Sequence, residues 1–84
     1  MSTPHLVQMA NDIGNFFRAE PLREDAVGGI LNHIEKYWTR RMQEKLIEHL
    51  RHDGTGLDEL PQEAVLRLAA RASGPPMPGR SASR

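Results

Sequence analysis

The chain has 84 residues, room for one small domain, and its 38% apolar and 26% charged content suits a globular protein better than a disordered one. It contains no Cys, which excludes disulfides, thiolate metal sites and thiol nucleophiles. The formal charge is zero but unevenly placed: residues 66–84 carry four arginines and no acid, a net +4, while residues 1–65 set seven basic against all eleven acidic residues, a net −4. A weakly acidic body with a basic end can fold that end back or meet an acidic partner, and nothing is basic enough to favour nucleic acid. No apolar run approaches a membrane span or a signal-peptide core, so no membrane partner is expected and the expected compartment is the cytoplasm.

In chain order, Thr3-Pro4 reads as an N-cap followed by proline at the first helical position. Leu6, Met9, Ile13 and Phe16 recur at helical spacing, with Val7, Ala10, Gly14 and Phe17 one position on, giving a wide apolar face. Gly14 weakens this helix, and its expected compensation is the close approach of another helix or of a partner. Glu20-Pro21 stops the pattern, so the first helix is predicted over about residues 4–19.

Pro21 is expected to open a second helix, with Glu24 and Asp25 complementing the dipole of its first turn. Val27, Ile30, Leu31, Ile34 and Trp38 share one stripe, and Gly28-Gly29 thins the helix where something can pack closely. This helix is predicted to end near Tyr37, with Thr39 capping a third, so that Trp38 sits at a corner. Met42, Leu46, Ile47 and Leu50 form the buried edge of helix three, and Asp53-Gly54-Thr55-Gly56 terminates it, Gly54 supplying a left-handed residue. Asp58 can cap a fourth helix with Pro61 in its first turn and Leu60, Ala64, Val65, Leu68, Ala69 and Ala72 on its apolar face. Beyond that the composition turns to Gly, Pro, Ser and Arg. The expected architecture is all-α: a small bundle of three to four short helices over residues 1–72, with a disordered tail over residues 73–84.

Little in the sequence supports catalysis. His49 and His52 lie one turn apart, and His33 approaches them if helices two and three form a hairpin, but zinc needs a further ligand and supporting contacts that the spacing does not supply. The solvated or capping reading of these histidines is preferred. Asp53 to Asp58 lacks the acidic spacing of a calcium loop, and Gly54-Thr55-Gly56 lacks the preceding strand and following Lys of a phosphate loop. All four serines, Ser2, Ser73, Ser81 and Ser83, fall in terminal segments, so no Ser–His–acid arrangement can be argued.

The aromatic residues carry the functional signal. Phe16-Phe17 and Tyr37-Trp38 are adjacent pairs, and neighbours on a helix point about 100° apart, so one narrow core seam cannot take both members. Either the helices surround and absorb them, or one of each pair is exposed beside Arg41 and Met42, residue types enriched at interfaces. The lone Trp faces the same choice between its own core and a partner's pocket. Lys36, Arg40, Arg41 and Lys45 would then form a basic rim, although such a run is usually a solvated face.

Leu6-Val-Gln-Met-Ala-Asn-Asp-Ile-Gly-Asn-Phe-Phe17, Ala19-Glu-Pro21, Asn32-His33, Tyr37-Trp38-Thr39-Arg40-Arg41-Met42, His49-Leu50 and Gly54-Thr-Gly-Leu57 occur here in an order and spacing that resembles the small delta subunit of cytoplasmic, NAD-dependent, molybdenum-containing formate dehydrogenases. The resemblance covers residues 1 to about 70. Arg40 departs from it, since the family usually has Pro there; that Pro would occupy the first position of helix three, where its loss is tolerable.

The resemblance implies a non-catalytic accessory subunit, with no cofactor of its own, that helps assemble or stabilise an enzyme oxidising formate to carbon dioxide with NAD. The molybdenum cofactor, iron–sulfur clusters, FMN and NAD are then expected in the larger subunits, which are the expected partners. The residues expected to meet them are Phe16, Phe17, His33, Tyr37, Trp38, Arg41 and Met42. Two rival readings remain: a transient maturation chaperone for the molybdenum-cofactor subunit, and a free-standing helical regulator or homodimer. The mixed charge of helix three, with Glu44 and Glu48 among its cations, makes a nucleic-acid role for the latter the weakest.

Overall fold

A computed structural model describes residues 2–73, which form four helices: α1 (Thr3–Phe17), α2 (Arg23–Tyr37), α3 (Arg40–His52) and α4 (Glu59–Ser73), with no strand among the described residues. The expected all-α bundle is therefore a four-helix one. Ser73 closes α4, and the rest of the tail expected over residues 73–84 lies outside the described residues.

Three helix boundaries differ from expectation. Ser2, not Thr3, caps α1: its hydroxyl accepts the His5 N–H at 3.3 Å, which places Pro4 one position further into the first turn, where its missing N–H still costs nothing. The helix ends at Phe17, two residues early, because the chain turns through a Glu20 N–H to Phe17 carbonyl bond of 3.0 Å before reaching Pro21. Pro21 does not open α2. Leu22 is extended (φ −102°, ψ 129°) and its carbonyl takes the first N–H groups, from Asp25 and Ala26, so the helix begins at Arg23 without a side-chain cap.

Thr39 caps α3 as expected, its hydroxyl accepting the Met42 N–H at 3.2 Å. The corner before it is extended at Trp38 (φ −92°, ψ 141°) and tied by Gln43, whose amide donates to the Trp38 carbonyl at 3.0 Å. Gly54 ends α3 in the left-handed region (φ 66°), donating its N–H to the His49 carbonyl. The loop that follows is fastened to α1 by Asn11, whose amide donates to the Gly56 carbonyl at 2.8 Å while its oxygen accepts the Asp58 N–H at 2.9 Å.

Leu6, Val7 and Ala10 of α1, Val27, Ile30, Leu31 and Ile34 of α2, Trp38 at the corner, Leu46 and Ile47 of α3, and Ala64, Val65 and Leu68 of α4 make the core. α2 packs most extensively on α4 and next on α1, whereas α3 lies against α4 and α1. The hairpin of helices two and three that would carry His33 toward His49 is not what forms: α2 and α3 meet at the corner rather than side by side. Gly14 is matched by Pro61 at the start of α4, whose Cγ is 2.6 Å from where a Cβ on Gly14 would sit, so the glycine is compensated inside the chain.

The divided charge is partly resolved between α2 and α4. Arg67 grips Glu24 through two bonds of 2.7 and 3.0 Å, Arg71 holds Glu35 at 2.6 Å, and Arg23 reaches Glu59 at 3.0 Å. The Arg67 hydrogen bond and charge hold the Glu24 carboxyl below its ordinary value.

Candidate docking groove between α1 and α2

α1 and α2 run in opposite directions, so Phe17 lies over Gly29 while Ile13 comes alongside His33. Gly29 is what lets the Phe17 ring approach the α2 backbone: a Cβ there would lie 2.4 Å from the ring's Cε1. The ring is half-buried as a result. Phe16, turned roughly a quarter circle away, stands 78% exposed and meets the Phe17 ring edge-on at 5.1 Å between centroids. One helix over, Tyr37 is 69% exposed, its ring 4.8 Å from that of His33 one turn earlier. Asp12, Ile13, Phe16, Phe17, His33 and Tyr37 thus line a single open groove whose surface is mostly apolar.

The seven residues expected at a partner surface divide into two groups. Phe16, Phe17, His33 and Tyr37 come together in this groove. Trp38 does not: it is 6% exposed, sealed in the core at the α2–α3 corner, and the expectation of an outward indole is corrected by that burial. Met42 is half-buried against the same core, so it too is chiefly a packing residue. Arg41 is exposed on the first turn of α3. Ile13 and Asp12 were not singled out as site residues; the available signal was the position of Ile13 one turn before Phe16 on an apolar face too wide for one core seam.

The other polar clusters serve the loops. His49 Nε2 donates to the Thr55 carbonyl at 2.7 Å, a capping role. Asp53 accepts the Thr55 N–H at 3.0 Å, and the backbone and hydroxyl bonds from Thr55 hold its carboxyl below the ordinary value. Among the described residues no group of three or more His, Cys, Asp or Glu is placed to hold a metal ion, and no helix is long and apolar enough to cross a membrane.

The family model described as NADH-dependant formate dehydrogenase delta subunit FdsD matches residues 5–65. The chain belongs to this family. The matched stretch takes in α1 from its third residue, α2, α3 and the first turns of α4, so every residue lining the groove of this FdsD-family chain lies within it. No curated protein and no solved structure matches the chain.

Proposed function

We propose that this FdsD-family chain is a non-catalytic accessory subunit that docks through the α1–α2 groove on a larger formate dehydrogenase subunit and helps assemble or stabilise the complex. One observation carries the reading: the domain completes its core with Trp38 and the aliphatic residues and still leaves Phe16 and Tyr37 exposed on a shared groove. Large exposed aromatics gathered in one place mark an interaction surface more than a monomer's surface does by chance. Docking stabilises the partner by mass action, because a subunit that binds only the folded form shifts the equilibrium toward it.

The redox groups of such an enzyme would sit in the larger subunits. Iron–sulfur ligation calls for thiolates, which this sequence lacks, and among the described residues no group of three or more His, Cys, Asp or Glu is placed to hold a metal. On this reading the chain contributes shape and affinity, with no bond made or broken on it.

Replacing Phe16 and Tyr37 together by Ala tests the reading. The double variant is expected to fold, since both side chains are largely outside the core, and to lose the larger subunit on co-purification by roughly ten-fold or more, the cost of removing interface anchors. Undiminished co-purification of a folded variant places the docking surface elsewhere. Whether the chain is retained in purified, active enzyme separates a permanent subunit from a transient chaperone.

A further inference from the structure

The α2–α3 corner at the Tyr37 end of the groove is positively charged, and its cations form no ion pair among the described residues. From residue 36 to residue 43 the chain carries Lys36, Arg40 and Arg41 and no acid. All three are exposed, and none forms an ion pair among the described residues, whereas Arg23, Arg67 and Arg71 each hold a glutamate. Arg40 shares a crevice with Glu35 and Glu44, so part of its field is met within the chain. Lys36 and Arg41 do not line that crevice, although Glu44 stands one turn along α3 from Arg41 and Glu35 precedes Lys36: Lys36 adjoins Tyr37 and stands one turn beyond His33 on α2, and Arg41 follows in the first turn of α3. The carboxylate lining the groove itself, Asp12, already accepts a 3.0 Å bond from Gln8.

We infer that the segment seated in this groove is an apolar stretch of the larger subunit flanked by carboxylates, which Lys36 and Arg41 receive at the corner; this rests on the docking reading above. Rim charges of this kind set orientation and association rate more than final affinity. They also reject occupants of the wrong sign. The chain's own residues 74–84 are one such occupant, carrying Arg80 and Arg84 and no acid.

The test measures association of the full chain with formate dehydrogenase complex stripped of this subunit, from low to high salt, for the wild type, the Lys36→Glu/Arg41→Glu pair and Phe16→Ala. The charge-reversed pair is expected to associate about ten-fold more slowly at low salt and to show a flatter or inverted salt dependence. Phe16→Ala should weaken binding at every salt concentration. Wild-type rate and salt slope in the charge-reversed pair, with Phe16→Ala still impaired, would overturn the acidic-partner inference and leave the docking reading standing. Unimpaired Phe16→Ala binding overturns both. Sedimentation of the chain alone adds one more arm: a dimer that Phe16→Ala dissociates would give the groove to a second copy and overturn the inference.

Discussion

The ring of Phe17 occupies the space that any side chain on Gly29 would need, whereas its neighbour Gly28 would project a methyl into open space with nothing within 4 Å. Two adjacent glycines in one helix therefore have opposite reasons to be changed. Gly28→Ala gains helix propensity at no steric cost and should raise stability by roughly 0.5–1 kcal/mol. Gly29→Ala gains the same propensity but must expel the ring, an overpacking cost of about 1–3 kcal/mol, and should lower stability. Urea midpoints of the two variants are expected to move in opposite directions; equal upward shifts would mean that the ring leaves its seat freely.

Tyr37 and Trp38 are consecutive and should differ sharply. Trp38→Ala empties a sealed core position and is expected to cost about 3–5 kcal/mol, a large part of the roughly 5–15 kcal/mol that holds a domain together. Tyr37→Ala, at 69% exposure, should change stability by no more than about 0.5 kcal/mol. Partner binding should order them the other way, with Tyr37→Ala the more damaging per unit of stability lost. Thermal unfolding of the two variants beside their co-purification yields gives both orders.

That contrast shows what the sequence makes legible. Trp38 continues the Val27, Ile30, Leu31, Ile34 stripe, and the stripe is core, so helical periodicity placed the indole correctly while its rarity argued for a partner's pocket. The helices were readable because Thr39, Glu20-Pro21 and Gly54 are local start and stop signals, Thr39 through its side-chain cap and the others through backbone geometry. The start of α2 was not, since Leu22 caps with its carbonyl and leaves no side-chain signature. The groove was half legible: adjacency shows that Phe16 and Phe17 diverge, but which one stays outside depends on α1 crossing α2 at Gly29, a tertiary fact.

Arg40 is the first residue of α3 and follows an extended Thr39 (φ −68°, ψ 162°). This backbone already has the conformation that precedes a proline, and the first intrahelical bond runs from Gln43 N–H to the Thr39 carbonyl, leaving the Arg40 N–H unneeded. Arg40→Pro should therefore raise stability by about 0.4–1 kcal/mol through the unfolded chain's lost freedom. Thr39→Ala, which removes the cap at the same corner, should lower it by about 1 kcal/mol. Chemical denaturation checks both signs; destabilisation by Arg40→Pro would mean the corner relies on the arginine side chain.

Glu24 and Asp53 both have carboxyl groups held below their ordinary values of 4.5 and 3.8, the first by the Arg67 hydrogen bond and charge, the second by bonds from Thr55. A depressed folded-state value means that the unfolded chain takes up protons first. The stabilisation is thus fully present above the ordinary value and is lost as pH falls through the folded one. Stability should accordingly decline below about pH 4.5 and continue to fall as the lower folded values are passed. Glu24→Gln should remove part of that decline and lower stability at neutral pH. Since both groups face solvent, the Glu24 contribution should shrink in high salt, whereas Asp53, held chiefly by hydrogen bonds within its own turn, should respond less. Urea midpoints measured against pH at low and high salt for the wild type and Glu24→Gln read out both effects, and an acid limb unchanged by the substitution would assign the loss to other carboxylates.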